Sequence, residues 1–246
     1  MDQTMIADTV GKKFNAALRQ IKKSDALYKR IRDGTAVAED LLELSALSGK
    51  TLGKITTETL IQMLNDSAFG EDLTNILTGG FEANHNFVAD AAEQFLTHSN
   101  SALGIGIKPA APLLNYDRIS GIASEIMQSD SISAIAQKLI AQYEELSMSH
   151  VDDAMRLNAE VMDNLGFETL VVREFHPEET DQAAHHEKGY WECEWCKERA
   201  TDGMPYKEAY DAGVFERHDG CHCVIYYITN KTVERGTGNG TSWNFR

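Results

Sequence analysis

Residues 190–228 read YWECEWCKERATDGMPYKEAYDAGVFERHDGCHCVIYYI and contain all four cysteines of the chain. The skeleton is Cys193-x-x-Cys196, a loop with Gly203, Pro205 and Gly213, then His218-x-x-Cys221-x-Cys223. Cys-x-x-Cys lets two thiolates converge from a tight turn onto one ion. Cys221 and Cys223, two apart in an extended segment, point to one side of a strand. Four soft ligands suit tetrahedral zinc, with sulfur at about 2.3 Å, and a structural zinc contributes its binding energy to folding. The reading favours Cys193, Cys196, Cys221 and Cys223 as ligands, with His218 as the alternate. Four or five donors crowd the site, which points to a closed structural centre rather than a catalytic one. Two disulfides, a redox-active Cys-x-x-Cys and free buried thiols remain as alternatives. The absence of a signal peptide argues against disulfides, and no thioredoxin-like strand pattern accompanies the pair.

Outward from this stretch, the 246 residues are 42% hydrophobic, enough for one generous core or two modest ones. The net charge of −15 and a pI near 4.9 disfavour free-standing nucleic-acid binding, which needs clustered Lys and Arg, and disfavour an acidic partner. No apolar run approaches the ~20 residues of a membrane span, and Met1-Asp2-Gln3-Thr4 does not begin a secretory signal. The expectation is a soluble protein made in the cytoplasm, with no membrane contact.

Upstream the apolar period is helical. Ile6, Val10, Phe14, Leu18, Ile21, Leu27 and Ile31 predict one helix over Thr4–Arg32, stopped by Asp33-Gly34. Its Lys and Arg residues read as a solvated face, with contact to nucleic acid or an acidic partner as the sharper alternative. Further helices are predicted over Val37–Leu47 with Gly49 as a stop, Thr57–Leu64, Asp72–Leu77 closed by Gly79-Gly80, and Phe81–His98. His85 and His98 stand too far apart on that last helix to share an ion. Ser99–Pro112, with Gly104, Gly106, Pro109 and Pro112, breaks the period and marks a boundary. Helices follow over Asp117–Met127, Ser131–Tyr143 and Ser149–Leu165, the last opened by a box of Ser149 and Asp152 and ended by Gly166.

The period then changes. Glu168–Phe175 is rich in β-branched and aromatic residues and predicts a strand, as does Cys221–Thr229. Between them, Glu178–Lys188, with His185-His186, reads as a surface loop. The fold class is α+β: a helical region at 1–112 with its linker at 99–112, a module of helices and a small zinc-stapled β unit at 113–229, and a glycine-rich mobile tail at 230–246 ending in Trp243, Phe245 and Arg246.

The order of a helix bearing Arg156 and Asn158, Gly166, a strand, Cys193-x-x-Cys196, a glycine-bearing loop and His218-x-x-Cys221-x-Cys223 resembles the phage head-morphogenesis, or minor head, proteins of the Mu F-like family. The likeness covers roughly 113–228, and the cysteine motif is its specific part. Three features depart from the family pattern: His222 stands between the cysteines where arginine is usual, Asp219 replaces the proline after the histidine, and the loop at 178–188 is long. The resemblance implies a minor capsid protein of a tailed phage, found in the virion. Its partners would be portal and capsid proteins, with DNA inside the head as a further contact, and its role head assembly or DNA packaging and ejection. No catalytic residue and no small-molecule substrate follow from it.

An enzyme is the competing class, either a zinc-knuckle endonuclease of the His-Asn-His kind or a toxin-like transferase. A His-Asn-His nuclease needs a histidine base and a second metal-holding residue on a nearby helix. His185-His186 could fill the first role, but after Cys223 come only an apolar strand and a glycine tail. The helical first half offers no strands for a nucleotide cleft.

Overall fold

The computed structural model describes residues 3–64, 71–128, 132–175, 193–218 and 220–230. Outside that range lie the loop at 178–188 with His185 and His186, Asp219, and the tail with Trp243 and Phe245. In chain order the elements are α1 (Gln3–Gln20), α2 (Lys22–Arg32), α3 (Ala38–Leu64), α4 (Glu71–Ala102), α5 (Tyr116–Met127), α6 (Ile132–Asn164), β1 (Glu168–Glu174), α7 (Glu194–Arg199), β2 (Thr201–Pro205), α8 (Tyr206–Asp211) and β3 (Val224–Asn230). Helices and one small antiparallel sheet, in strand order β2-β1-β3, make the fold α+β, as the sequence predicts.

Several predicted helices are differently bounded, each for a packing reason. The single helix expected over Thr4–Arg32 is two, because Ile21 takes an extended conformation (φ −83°, ψ 98°). That turn serves two cores at once: Val10, Phe14 and Leu18 of α1 join one apolar cluster, and Leu27 and Ile31 of α2 join another. Two of the basic residues are engaged locally, Arg30 with Asp40 and Lys29 with Asp33.

Gly49 does not stop α3, and Gly79-Gly80 does not stop α4. Gly49 and Gly80 sit where helices touch. A Cβ on Gly49 would lie 2.5 Å from both Ser147 Oγ and the Tyr143 carbonyl oxygen, and one on Gly53 would lie 2.7 Å from the Ile140 Cα. Missing side chains therefore allow α3 to press on α6. Beside this contact, Ser48 donates to Asn84 Oδ1 (2.8 Å), and the Asn84 amide donates to Ser147 Oγ, so the buried polar atoms of three helices satisfy one another.

Helix α6 likewise runs unbroken where two helices are predicted. Ser149 caps nothing; its hydroxyl donates to the Glu145 carbonyl at 2.9 Å, within the helix. Asp152 is buried in the fold instead of standing in a first turn. The chain at 103–115 is irregular, as expected, and is fastened to α6. Asn158 Oδ1 accepts from the Ala110 N–H at 3.0 Å while its Nδ2 donates to the Ala110 carbonyl at 3.0 Å. One apolar cluster draws on α2, α3 and α4 before this segment and on α6, β1 and β3 after it.

Gly166, at φ 83°, turns the chain from α6 into β1. β1 is the central strand, paired with β3 in a register that sets Val171 against Tyr227 and Arg173 against Ile225. Its other neighbour, β2, and helices α7 and α8 occupy the segment predicted as a glycine-bearing loop. Thr201-Asp202-Gly203-Met204-Pro205 is a short polar strand with no apolar alternation. It is held at the sheet edge, where Pro205, lacking an N–H, is tolerated. β3 begins at Val224, so Cys221 and Cys223 precede the strand instead of alternating within it.

Candidate metal centre

Two stretches deliver the donors. Cys193 is the N-cap residue of α7 and Cys196 lies in its first turn; the link from α8 to β3 supplies His218, Cys221 and Cys223. All five predicted candidates come together. His218 Nε2 stands 3.1 Å from Cys193 Sγ and 2.9 Å from Cys196 Sγ. Cys196 Sγ is 3.7 Å from Cys221 Sγ. Cys193, Cys196 and His218 form one convergent triad and Cys196, Cys221 and Cys223 another, each with its donor atoms within 4.8 Å of one another. Cys196 belongs to both. Cys196, Cys221 and Cys223 are at most 1% exposed, and all four cysteines are free thiols.

Thiols packed this closely polarise one another. Hydrogen bonds from the Cys196 and Cys223 thiols, followed by the charges of Arg217 and Arg173, push the Cys221 thiol far below its ordinary range. Cys196, which donates to Cys221, is pushed upward. Thiolate is the metal-binding form, so loading an ion displaces the protons that these thiols share. A cluster of soft sulfur donors and one imidazole fits a borderline ion such as zinc better than a hard, oxygen-seeking one.

Sequence reasoning missed the residues that frame this cluster. Arg173, the penultimate residue of the central strand, is 1% exposed. Its Nη1 donates to the carbonyls of Val214 (2.7 Å) and Glu216 (2.6 Å), fixing the approach to His218. Its Nη2 donates to Cys221 Sγ at 3.3 Å and lies 4.0 Å from Cys196 Sγ. Trp195 stands between the two arginines Arg173 and Arg199, whose guanidinium carbons are 5.0 and 3.9 Å from its ring centroid. The same ring meets His218 edge-on at 5.0 Å. Arg217 forms a two-pronged pair with Asp152 of α6 and donates to the carbonyls of Cys221 and Cys223, both at 2.9 Å. Burial pushes the Asp152 carboxyl up to about 6, against the opposing pull of Arg217. The available signal was an arginine directly after the apolar run Leu170-Val171-Val172, since a buried charge demands a partner.

His85 and His98 stand apart from this cluster. His98 Nε2 contacts the Arg32 carbonyl at 3.0 Å, and His85 meets His150 of α6 edge-to-face at 4.7 Å. Of the family-like pair on α6, Arg156 reaches Asp153 and Glu160, and Asn158 holds the linker. No helix of the described residues is long and apolar enough to cross a membrane. Compared with known proteins, the chain matches no family model, no curated protein and no solved structure.

Proposed function

We propose that the cysteine–histidine cluster holds one structural zinc and that the chain is a non-catalytic docking protein, a minor head protein acting at the portal vertex of a tailed phage. The convergence of five soft donors from two separate stretches, on a floor of buried cysteines, carries the zinc reading. An ion there ties α7 to the root of β3 and thereby to the central strand. That is what a small, three-stranded sheet needs, since a sheet of this size has little core of its own. A site walled in by its own ligands favours the structural role over a catalytic one, which keeps a coordination position open. The phage-head assignment rests on the order of Asn158, Gly166, Cys193-x-x-Cys196 and His218-x-x-Cys221-x-Cys223 along the chain, with its partners the portal and capsid proteins.

Elemental analysis of purified protein tests the first part and should give about one zinc per chain. A folded, metal-free preparation would sink it. Cys196→Ser should lower the melting temperature and release the metal. Mixing with portal protein should give a co-migrating complex; failure to co-migrate, with absence from purified virions, overturns the docking role. DNA nicking in Mg²⁺ or Mn²⁺ would move the assignment to a nuclease.

A further inference from the structure

Resting on the zinc reading, the buried charges around the cluster carry the argument to a particular ligand set. Arg173 is the largest fully buried side chain of the described residues, and among them it makes no ion pair with a carboxylate. Its polar contacts are backbone carbonyls and sulfur. A guanidinium stays charged at any ordinary pH, and an uncompensated buried cation is strongly destabilising. The neighbouring Arg217 is already matched by Asp152, with side chains 2% and 4% exposed. Among the described residues one buried positive charge is therefore left over, and it points at Cys221 and Cys196.

We propose that the loaded centre carries one net negative charge, three thiolates and the His218 imidazole on a divalent ion, with Arg173 as its built-in counter-charge. Three thiolates on a doubly charged ion leave −1, which Arg173 cancels; four thiolates would leave −2 and one negative charge unmatched in the interior. The imidazole contacts and the direction of the counter-charge select the members from the two triads that share Cys196. His218 Nε2 lies against Cys193 and Cys196, which places the imidazole with the knuckle. Cys221 is the sulfur that both arginines face, at 3.3 Å from Arg173 and 3.8 Å from Arg217. The set is Cys193, Cys196, His218 and Cys221. Cys223 Sγ converges with Cys196 and Cys221, but among the described residues no guanidinium donates to it, and the charge balance assigns it the neutral thiol. Without the ion the thiolates disperse their charge as protons return, and Arg173 loses its partner. Closing the sheet and loading the metal are thus one event, joined through this side chain.

X-ray absorption at the zinc edge of the unmodified, loaded protein reads the ligand set directly. Three sulfur scatterers at about 2.3 Å and one nitrogen at about 2.0–2.1 Å are expected. Four sulfurs overturn the proposal. Cys223→Ser should keep one zinc per chain and an unchanged absorption spectrum, and loss of the metal in that variant also overturns it. The counter-charge is read by the fall in melting temperature when a chelator strips the metal. Arg173→Met should shrink that fall well below the wild-type value, because a neutral side chain no longer needs the thiolates; Arg173→Lys should preserve most of it. An Arg173→Met protein with the full wild-type fall counts against the counter-charge. A purified protein that is folded yet holds no zinc would instead remove the underlying metal reading.

Discussion

Asp152 and Arg217 show how one ion pair can tie a helix to a metal loop. Asp152 points from the middle of α6, and Arg217 uses its remaining N–H groups on the carbonyls of Cys221 and Cys223. Removing only the carboxylate leaves the guanidinium buried and unpaired, which costs about 3–5 kcal/mol. Asp152→Ala should therefore lower the urea midpoint sharply, and an Asp152→Leu/Arg217→Met double variant should recover part of the loss. A single variant within about 1 kcal/mol of wild type in urea unfolding would contradict the pairing's role. His150 makes a second residue-scale prediction, with a definite sign. It is 2% exposed, and burial, with smaller contributions from His85 and Arg118, pushes its pKa down from 6.5 to about 3. The fold thus holds the imidazole neutral, and unfolding takes up a proton below pH 6.5. Stability is full above that pH and falls as pH drops from 6.5 towards 3, by roughly 1.4 kcal/mol per unit for one proton. Glu82 acts on His85 and Arg118 on His150, and Arg118 is itself paired with Glu145. His150→Phe should flatten the pH dependence of the urea midpoint, and an unchanged slope would exclude His150 as its source. The donor residues themselves were legible from cysteine spacing alone. Arg173, Arg217 and Asp152 were not, because which strand face and which helix turn are buried is decided by the sheet's docking on α6, a contact with no local sequence signature.

At the scale of elements, the same residue type acts in opposite ways. Gly49 and Gly121 both lie inside helices, where alanine is favoured over glycine by about 1 kcal/mol. A Cβ on Gly121, in α5, meets nothing within 4 Å, so Gly121→Ala should raise stability by up to that amount. On Gly49 the added carbon meets backbone and side-chain atoms of α6 at 2.5–2.6 Å. Backbone cannot move aside as a flexible side chain can, and overpacking of this kind costs about 1–3 kcal/mol or more, which outweighs the gain in helix propensity. Thermal melts of the two variants should move in opposite directions, and a stabilising Gly49→Ala would mean that α3 and α6 are not closely packed. This explains why helix ends were the least legible part of the sequence. Gly49, Gly79 and Gly80 carry the ordinary signature of a stop, and distinguishing a stop from a contact requires knowing that another helix arrives there. Strand β1 was legible because its β-branched run is local. β2 was not, because a five-residue polar edge strand with Gly203 and Pro205 looks like a turn until β1 pairs with it.

For the whole molecule, the segment at 99–112 has a double character. Its sequence marks it as a boundary, and Gly104, Gly106 and Lys108 are exposed in an irregular stretch that a protease can enter. Yet the elements on its two sides share one core: Leu41, Leu44, Val88 and Ala91 come before it, and Met155, Met162, Val172 and Tyr227 come after it, in the same apolar cluster. Asn158 holds the segment onto α6 through both polar groups of Ala110. A cut there removes a covalent link and none of this packing. Limited digestion should therefore nick first between Gly104 and Lys108, and the two pieces should still elute together from a sizing column at the intact size. Denaturant is then needed to part them, because a separated 1–104 fragment would expose the faces of α3 and α4 that α6 covers, at about 25 cal/mol per Å² of apolar surface. Two pieces that elute apart, each with a cooperative melt, would show that the boundary divides the core as well as the chain.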